Sequence, residues 1–100
     1  MRDVYRFSLG PNACIHQVRE LLLLAAGATR VLHRKAGRME VACRFAVCKQ
    51  ERVCLIDAST PEGEDVSRIL QEFLRAVLGD TEFTVARIVS DDPLSEPWDL

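Results

Sequence analysis

The sequence predicts an α+β fold, a two-layer sandwich in which two helices cover one face of a mostly antiparallel five-stranded sheet. Three observations predict it. Two stretches carry apolar residues at three-and-four spacing, several shorter ones alternate with a period of two, and the segments follow one another as β-α-β-β-β-α-β. The hundred residues divide into a single domain over 1–90 and an irregular acidic tail over 91–100.

Residues 4–9, VYRFSL, open the chain as a half-buried strand, with Tyr5, Phe7 and Leu9 on one side and Arg6 and Ser8 on the other. Gly10, Pro11 and Asn12 form a turn in which Asn12 is suited to cap a helix by accepting a backbone N–H. From Ala13 onward, apolar residues at 14, 15, 18, 21, 22 and 25 predict an amphipathic helix that Gly27 ends. That spacing puts Cys14 on the apolar side, as a buried and inert thiol.

A second strand is expected over 29–35, turning at residues 36 and 37. Met39, Val41, Cys43, Phe45 and Val47 alternate to give a third, over 39–47. After a polar turn at 49–51, RVCLIDA returns over 52–58 as a strand that is apolar on both faces and so more deeply buried. The stretch STPEGED starts the second helix in one of two frames. Either Ser59 and Glu62 form a capping box, or Thr60 caps with Pro61 at the first helical position. Val66, Ile69, Leu70, Phe73 and Val77 make its buried stripe, and Gly79 its stop. A last strand runs over 83–89, and the prolines and charges of the tail oppose regular structure. The order is ferredoxin-like in outline with one strand added. With both helices on one face, the other face of the sheet is expected to be open unless the tail or a second subunit covers it.

A hydrophobic fraction of 48% and a charged fraction of 28% exclude global disorder. No apolar run approaches the ~18–20 residues that cross a bilayer, so no membrane association is expected. Met1, Arg2 and Asp3 lead directly into a strand pattern, with no secretory leader in view. The cysteines at 14, 43, 48 and 54 are then expected to be reduced thiols in a cytoplasmic protein. Strand parity sends Cys43 and Cys48 to opposite faces, which opposes a tetrahedral metal site. With no glycine-rich phosphate loop, nucleophile elbow or paired carboxylates, neither a metal nor a cofactor is expected and the reading leans away from an enzyme.

Charge is unevenly laid out. Residues 28–52 carry seven basic and two acidic side chains, whereas 57–100 carry three basic and eleven acidic ones. Such polarity suits self-association or docking to a larger protein, with a basic hairpin of one copy meeting an acidic helix or tail of another. Arg30, Arg34, Lys35 and Arg38 are the candidate contacts in that hairpin, and Trp98, the only tryptophan, is a candidate aromatic anchor in the tail. The same basic residues could follow phosphates as a two-stranded ribbon, a nucleic-acid or anion reading. A net charge of −2 and the lack of aromatics among them disfavour it.

One alternative comes from another class of function. His16 falls near the start of the first helix, where N–H donors gather, with Arg19 one turn on. "GPNACIH", "HRKAGRMEVACRF" and "LIDASTPEGEDVSRILQEFLRAVLG" resemble the active loop, the following hairpin, and the last strand and helix of the histidine-containing phosphocarrier proteins of the sugar phosphotransferase system. The resemblance implies a phosphoryl-accepting carrier using His16, assisted by Arg19. The chain departs from that pattern where the family has an arginine two residues after the histidine, a proline next and a middle helix with a regulatory serine. Here Val18 is two residues on, Glu20 follows Arg19, and the short 49–51 turn replaces the helix. The leading expectation is a small non-enzymatic protein-interaction module.

Overall fold

The computed structural model describes residues 2–35 and 44–90. Its elements are β1 (Arg2–Leu9), α1 (Ile15–Lys35), β2 (Phe45–Cys48), β3 (Val53–Asp57), α2 (Pro61–Val77) and β4 (Phe83–Ser90). The strands form one antiparallel sheet in the order β2-β3-β1-β4. Because β1 and β2 both run against β3, and β3 and β4 both run against β1, each helix links two parallel strands that are separated by one strand of the other unit. The α+β class therefore holds, with four strands among the described residues instead of five.

The missing strand is a helix. Residues 29–35, expected as a strand after a stop at Gly27, continue α1 to a length of 21 residues. A glycine inside a helix costs about 1 kcal/mol, which tertiary packing readily offsets. Here the packing is a single buried seam down one side of α1, formed by Val18, Leu22, Ala25, Thr29 and His33. Within it, Thr29 satisfies its hydroxyl by donating to the Ala25 carbonyl at 2.8 Å. Residues 39–43 of the expected third strand lie outside the described residues; the extended run that remains is β2.

The register assigns the sheet faces. Phe7 lies between Cys54 and Val85, and Val47 opposite Cys54, so these side chains share one face. Phe7, Val47, Cys54, Ile56 and Phe83 join Val18, Leu22 and Ala25 of α1 and Val66, Leu70 and Leu74 of α2 in one hydrophobic cluster. Both helices therefore pack on that face. Leu74, and not Val77, completes the α2 stripe, and Val77 is exposed. The opposite face, expected to be open, is buried on the β2–β3 side at Ala46, Val53 and Leu55 and at Val4 of β1, while Arg6, Thr84 and Ala86 are exposed.

At the second helix the Thr60 frame wins. Thr60 Oγ1 accepts from the Gly63 N–H at 3.1 Å with Pro61 at the first helical position. Ser59 turns instead to Asp57, whose Oδ1 accepts from the Ser59 N–H at 2.9 Å and its hydroxyl at 2.5 Å. Gly63 packs so closely on β3 that a Cβ there would stand 1.8 Å from the Asp57 carbonyl oxygen. Gly79, at φ 89°, follows the Leu78 cap as expected. α1 starts two residues later than an Asn12 cap requires, and the Cys14 carbonyl accepts its first helical bond, from the Val18 N–H at 3.0 Å. Cys14 is thereby left exposed and not on the buried seam.

Two glycines should respond oppositely to one substitution. Gly63→Ala must push α2 off β3 and is expected to lose about 1–3 kcal/mol, the cost of overpacking. Gly27→Ala meets nothing within 4 Å in the single chain and should gain about 0.5–1 kcal/mol from helix propensity. Chemical denaturation of the dilute variants measures both.

Burial pushes the Cys54 thiol from an ordinary 9.0 up to about 12. The unfolded chain releases this proton first, so above pH 9 it binds fewer protons than the fold and stability falls toward pH 12. Unfolding curves across that range should fall less steeply for Cys54→Val, which cannot ionise.

Candidate docking surface

α1 is apolar on two sides. Opposite its buried seam, Leu24, Gly27, Ala28 and Val31 recur at the i, i+3, i+4, i+7 spacing of one helical stripe, flanked by Leu23 and Leu32. Leu23, Leu24, Val31 and Leu32 are 51%, 61%, 54% and 57% exposed. Burying an aliphatic side chain fully is worth about 1.5–3 kcal/mol, so each leaves roughly half of that unrealised in the single chain. Gly27 and Ala28 are both exposed between these larger residues and make the middle of the stripe shallow. Val77 and Val89 are also exposed, but on α2 and β4, and scattered single apolar residues are ordinary on protein surfaces.

Both ends of α1 are fastened, so the stripe sits on a rigid support. At the start, the Arg52 guanidinium donates to the carbonyls of Gly10 (2.7 Å) and Ala13, binding the β2–β3 turn to the loop before the helix. Arg52 reaches this position with φ at 56°. At the far end, buried His33 lies between two carboxylates of α2, with Nε2 2.6 Å from Asp65 Oδ2 and Nδ1 3.3 Å from Glu62 Oε1. Glu62 is itself buried.

A second polar cluster fastens α2 to the sheet. Tyr5 donates its hydroxyl to Glu64 Oε2 at 2.8 Å, and Arg87 lies 2.9 Å from Asp3, 3.3 Å from Glu64 and over the Tyr5 ring at 5.5 Å. The hydrogen bond to Glu64 raises the Tyr5 phenol above its ordinary value. Tyr5 and Glu64 line a shallow cleft with Ser67, Arg68, Gln71 and Val85, and they bind each other and Arg87, which makes the cluster a clasp.

The structure redistributes the residues singled out by sequence. Arg30, Arg34 and Lys35 belong to the last turns of α1 and to no hairpin; Arg38 and Trp98 lie outside the described residues. The basic excess of the middle segment is likewise divided among α1, Arg44 before β2, Lys49 in an exposed turn and the inward-turned Arg52. His16 is exposed in the first turn of α1 with Arg19 a turn later, and neither makes an ion pair or side-chain hydrogen bond among the described residues. Among the described residues, no His, Cys, Asp and Glu cluster suits a metal ion, and no helix is long and apolar enough to cross a membrane.

Sequence reasoning missed the outer stripe and the His33 clasp for one reason, the stop placed at Gly27. Carried past that glycine, the spacing 24, 27, 28, 31 would have shown the stripe, and 25, 29, 33 would have placed His33 on the buried side. No protein-family model, curated protein or solved structure matches the chain.

Removing the imidazole leaves the Glu62 carboxylate buried without its neighbour. His33→Ala should therefore lose about 2 kcal/mol, measured as a lower denaturant midpoint, as expected for a broken buried polar pair of which Asp65 remains partly solvated.

Proposed function

We propose that the chain is a small non-enzymatic protein-interaction module whose contact surface is the outer face of α1. The observation that carries this reading is the two-sided helix. One apolar side is covered by the sheet and α2, while the other presents half-exposed Leu24 and Val31 along one stripe and half-exposed Leu23 and Leu32 at its two edges. Ordinary surface helices are polar opposite their buried side. Contiguous exposed apolar area of this kind marks interaction sites, and a fastened helix offers it at little ordering cost.

The scaffold reading is the ferredoxin-like plan, supported by the β-α-β-β-α-β order, the strand order β2-β3-β1-β4 and the two interleaved β-α-β units. A reducing, cytoplasmic setting is part of the proposal and is supported by the free thiols of Cys14, Cys48 and Cys54.

Hydroxyl-radical footprinting tests the docking reading. Leu23, Leu24, Val31 and Leu32 should oxidise readily in the dilute purified chain and be protected several-fold in a concentrated extract of the cells that make it, while Val77 reacts alike in both. Equal labelling of the stripe in the two samples overturns the reading.

A further inference from the structure

Resting on that docking reading, we propose that the occupant of the outer face is a second copy of this chain, its α1 lying antiparallel about a twofold axis that passes between Gly27 and Ala28. A twofold interface demands self-complementarity, since each residue must suit the residue that meets it and be met by it in turn. The outer stripe has this property about a single point. Stepping outward from the centre, Gly27 is matched with Ala28, Leu24 with Val31, and Glu20 with Lys35, while Leu23 and Leu32 border the stripe on its two opposite edges. All eight positions belong to α1, and they are small at the centre, large and aliphatic on the flanks, and opposite in charge at the ends.

Each part of this order has a physical use. Small residues at the crossing let helix axes approach toward the ~8 Å lower limit of ordinary packing. Nothing lies within 4 Å of a Cβ built on Gly27, so the centre is unobstructed in the single chain. The flanking Leu24 and Val31 then fill the space on either side of the crossing from both copies, burying the surface each monomer leaves exposed.

Charge selects the direction. A parallel pair would set Glu20 against Glu20 and Lys35 against Lys35, whereas the antiparallel pair brings Glu20 to Lys35 twice. Complementarity of this kind chiefly fixes orientation and register. It is the feature that favours a second copy over an unrelated protein, because a foreign helix need not repeat the stripe in reverse.

Sedimentation equilibrium of the full chain and four variants tests the proposal, with circular dichroism and unfolding midpoints confirming that each is folded. The unmodified chain should form a dimer. Gly27→Leu, whose side chain meets open space in the monomer, should abolish the dimer by blocking the crossing. Glu20→Lys and Lys35→Glu should each raise the dimer dissociation constant about tenfold, equivalent to about 1.4 kcal/mol over the two symmetric contacts, and the double exchange should restore it. A dimer that neither Gly27→Leu nor the charge reversals weaken overturns the proposed register. A chain that stays monomeric at every concentration overturns the second copy altogether. In that case protection of Leu24 and Val31 in cell extract leaves the docking reading standing with a different protein, and their full reactivity there removes both.

Discussion

Val18, Leu22, Ala25, Thr29 and His33 descend one side of α1 at steps of four, three, four and four, all buried, and this seam constrains the rest of the molecule. It meets Phe7, Cys54 and Ile56 of the sheet together with Val66, Leu70 and Leu74 of α2. Because the seam continues past Gly27, the helix must do so too, and the backbone over 29–35 stays helical. The orientation of the seam also decides what points outward. Residues half a turn away, Leu24 and Val31 among them, have no place in the core and face solvent.

The first turns of α2 show how few residues can set several relationships at once. Gly63 lets the helix approach the Asp57 carbonyl, Thr60 caps it, and Asp57 in turn holds Ser59. From that fixed start the acidic side chains diverge. Glu62 and Asp65 reach His33 of α1, while Glu64 reaches Tyr5 and Arg87 of the sheet. Carboxylates here are also favoured by the positive end of the helix dipole. One acidic turn thus ties both the other helix and two strands to α2, which keeps the outer face of α1 in a fixed pose.

Such a support bears on recognition. Much of the unfavourable part of association is the ordering of loops and side chains, and a surface carried by a helix secured at both ends has already lost that freedom. What reads in sequence as one basic segment becomes, in space, a few cations at the end of α1 and others turned to structural work, Arg52 above all.

Most of the elements were legible because local pattern and tertiary demand agree in them. The alternation of Tyr5, Phe7 and Leu9, the two-sided apolar run of β3, the α2 helix with Val66 and Leu70 on its buried side and its Gly79 stop, and the β4 segment all appear where periodicity places them. Disagreement is concentrated in α1, at its start near Asn12 and Cys14 and at Gly27. At Gly27 a local preference of about 1 kcal/mol was outweighed by buried contacts distant in sequence, whereas the choice between the two frames at Ser59 and Thr60 was made by their near neighbours Asp57 and Gly63.

The amino-acid order alone determined the α+β class, the two amphipathic helices and most strand positions, because those depend on periodicities of two and of 3.6 that neighbouring residues carry among themselves. Tertiary structure decided that α1 runs on to Lys35, that His33 lies between Glu62 and Asp65, and that Leu24 and Val31 face outward. The physical reason is that a helix's preference at a glycine is worth about 1 kcal/mol, whereas a buried seam draws its strength from α2 and β3, elements more than twenty residues away in the chain.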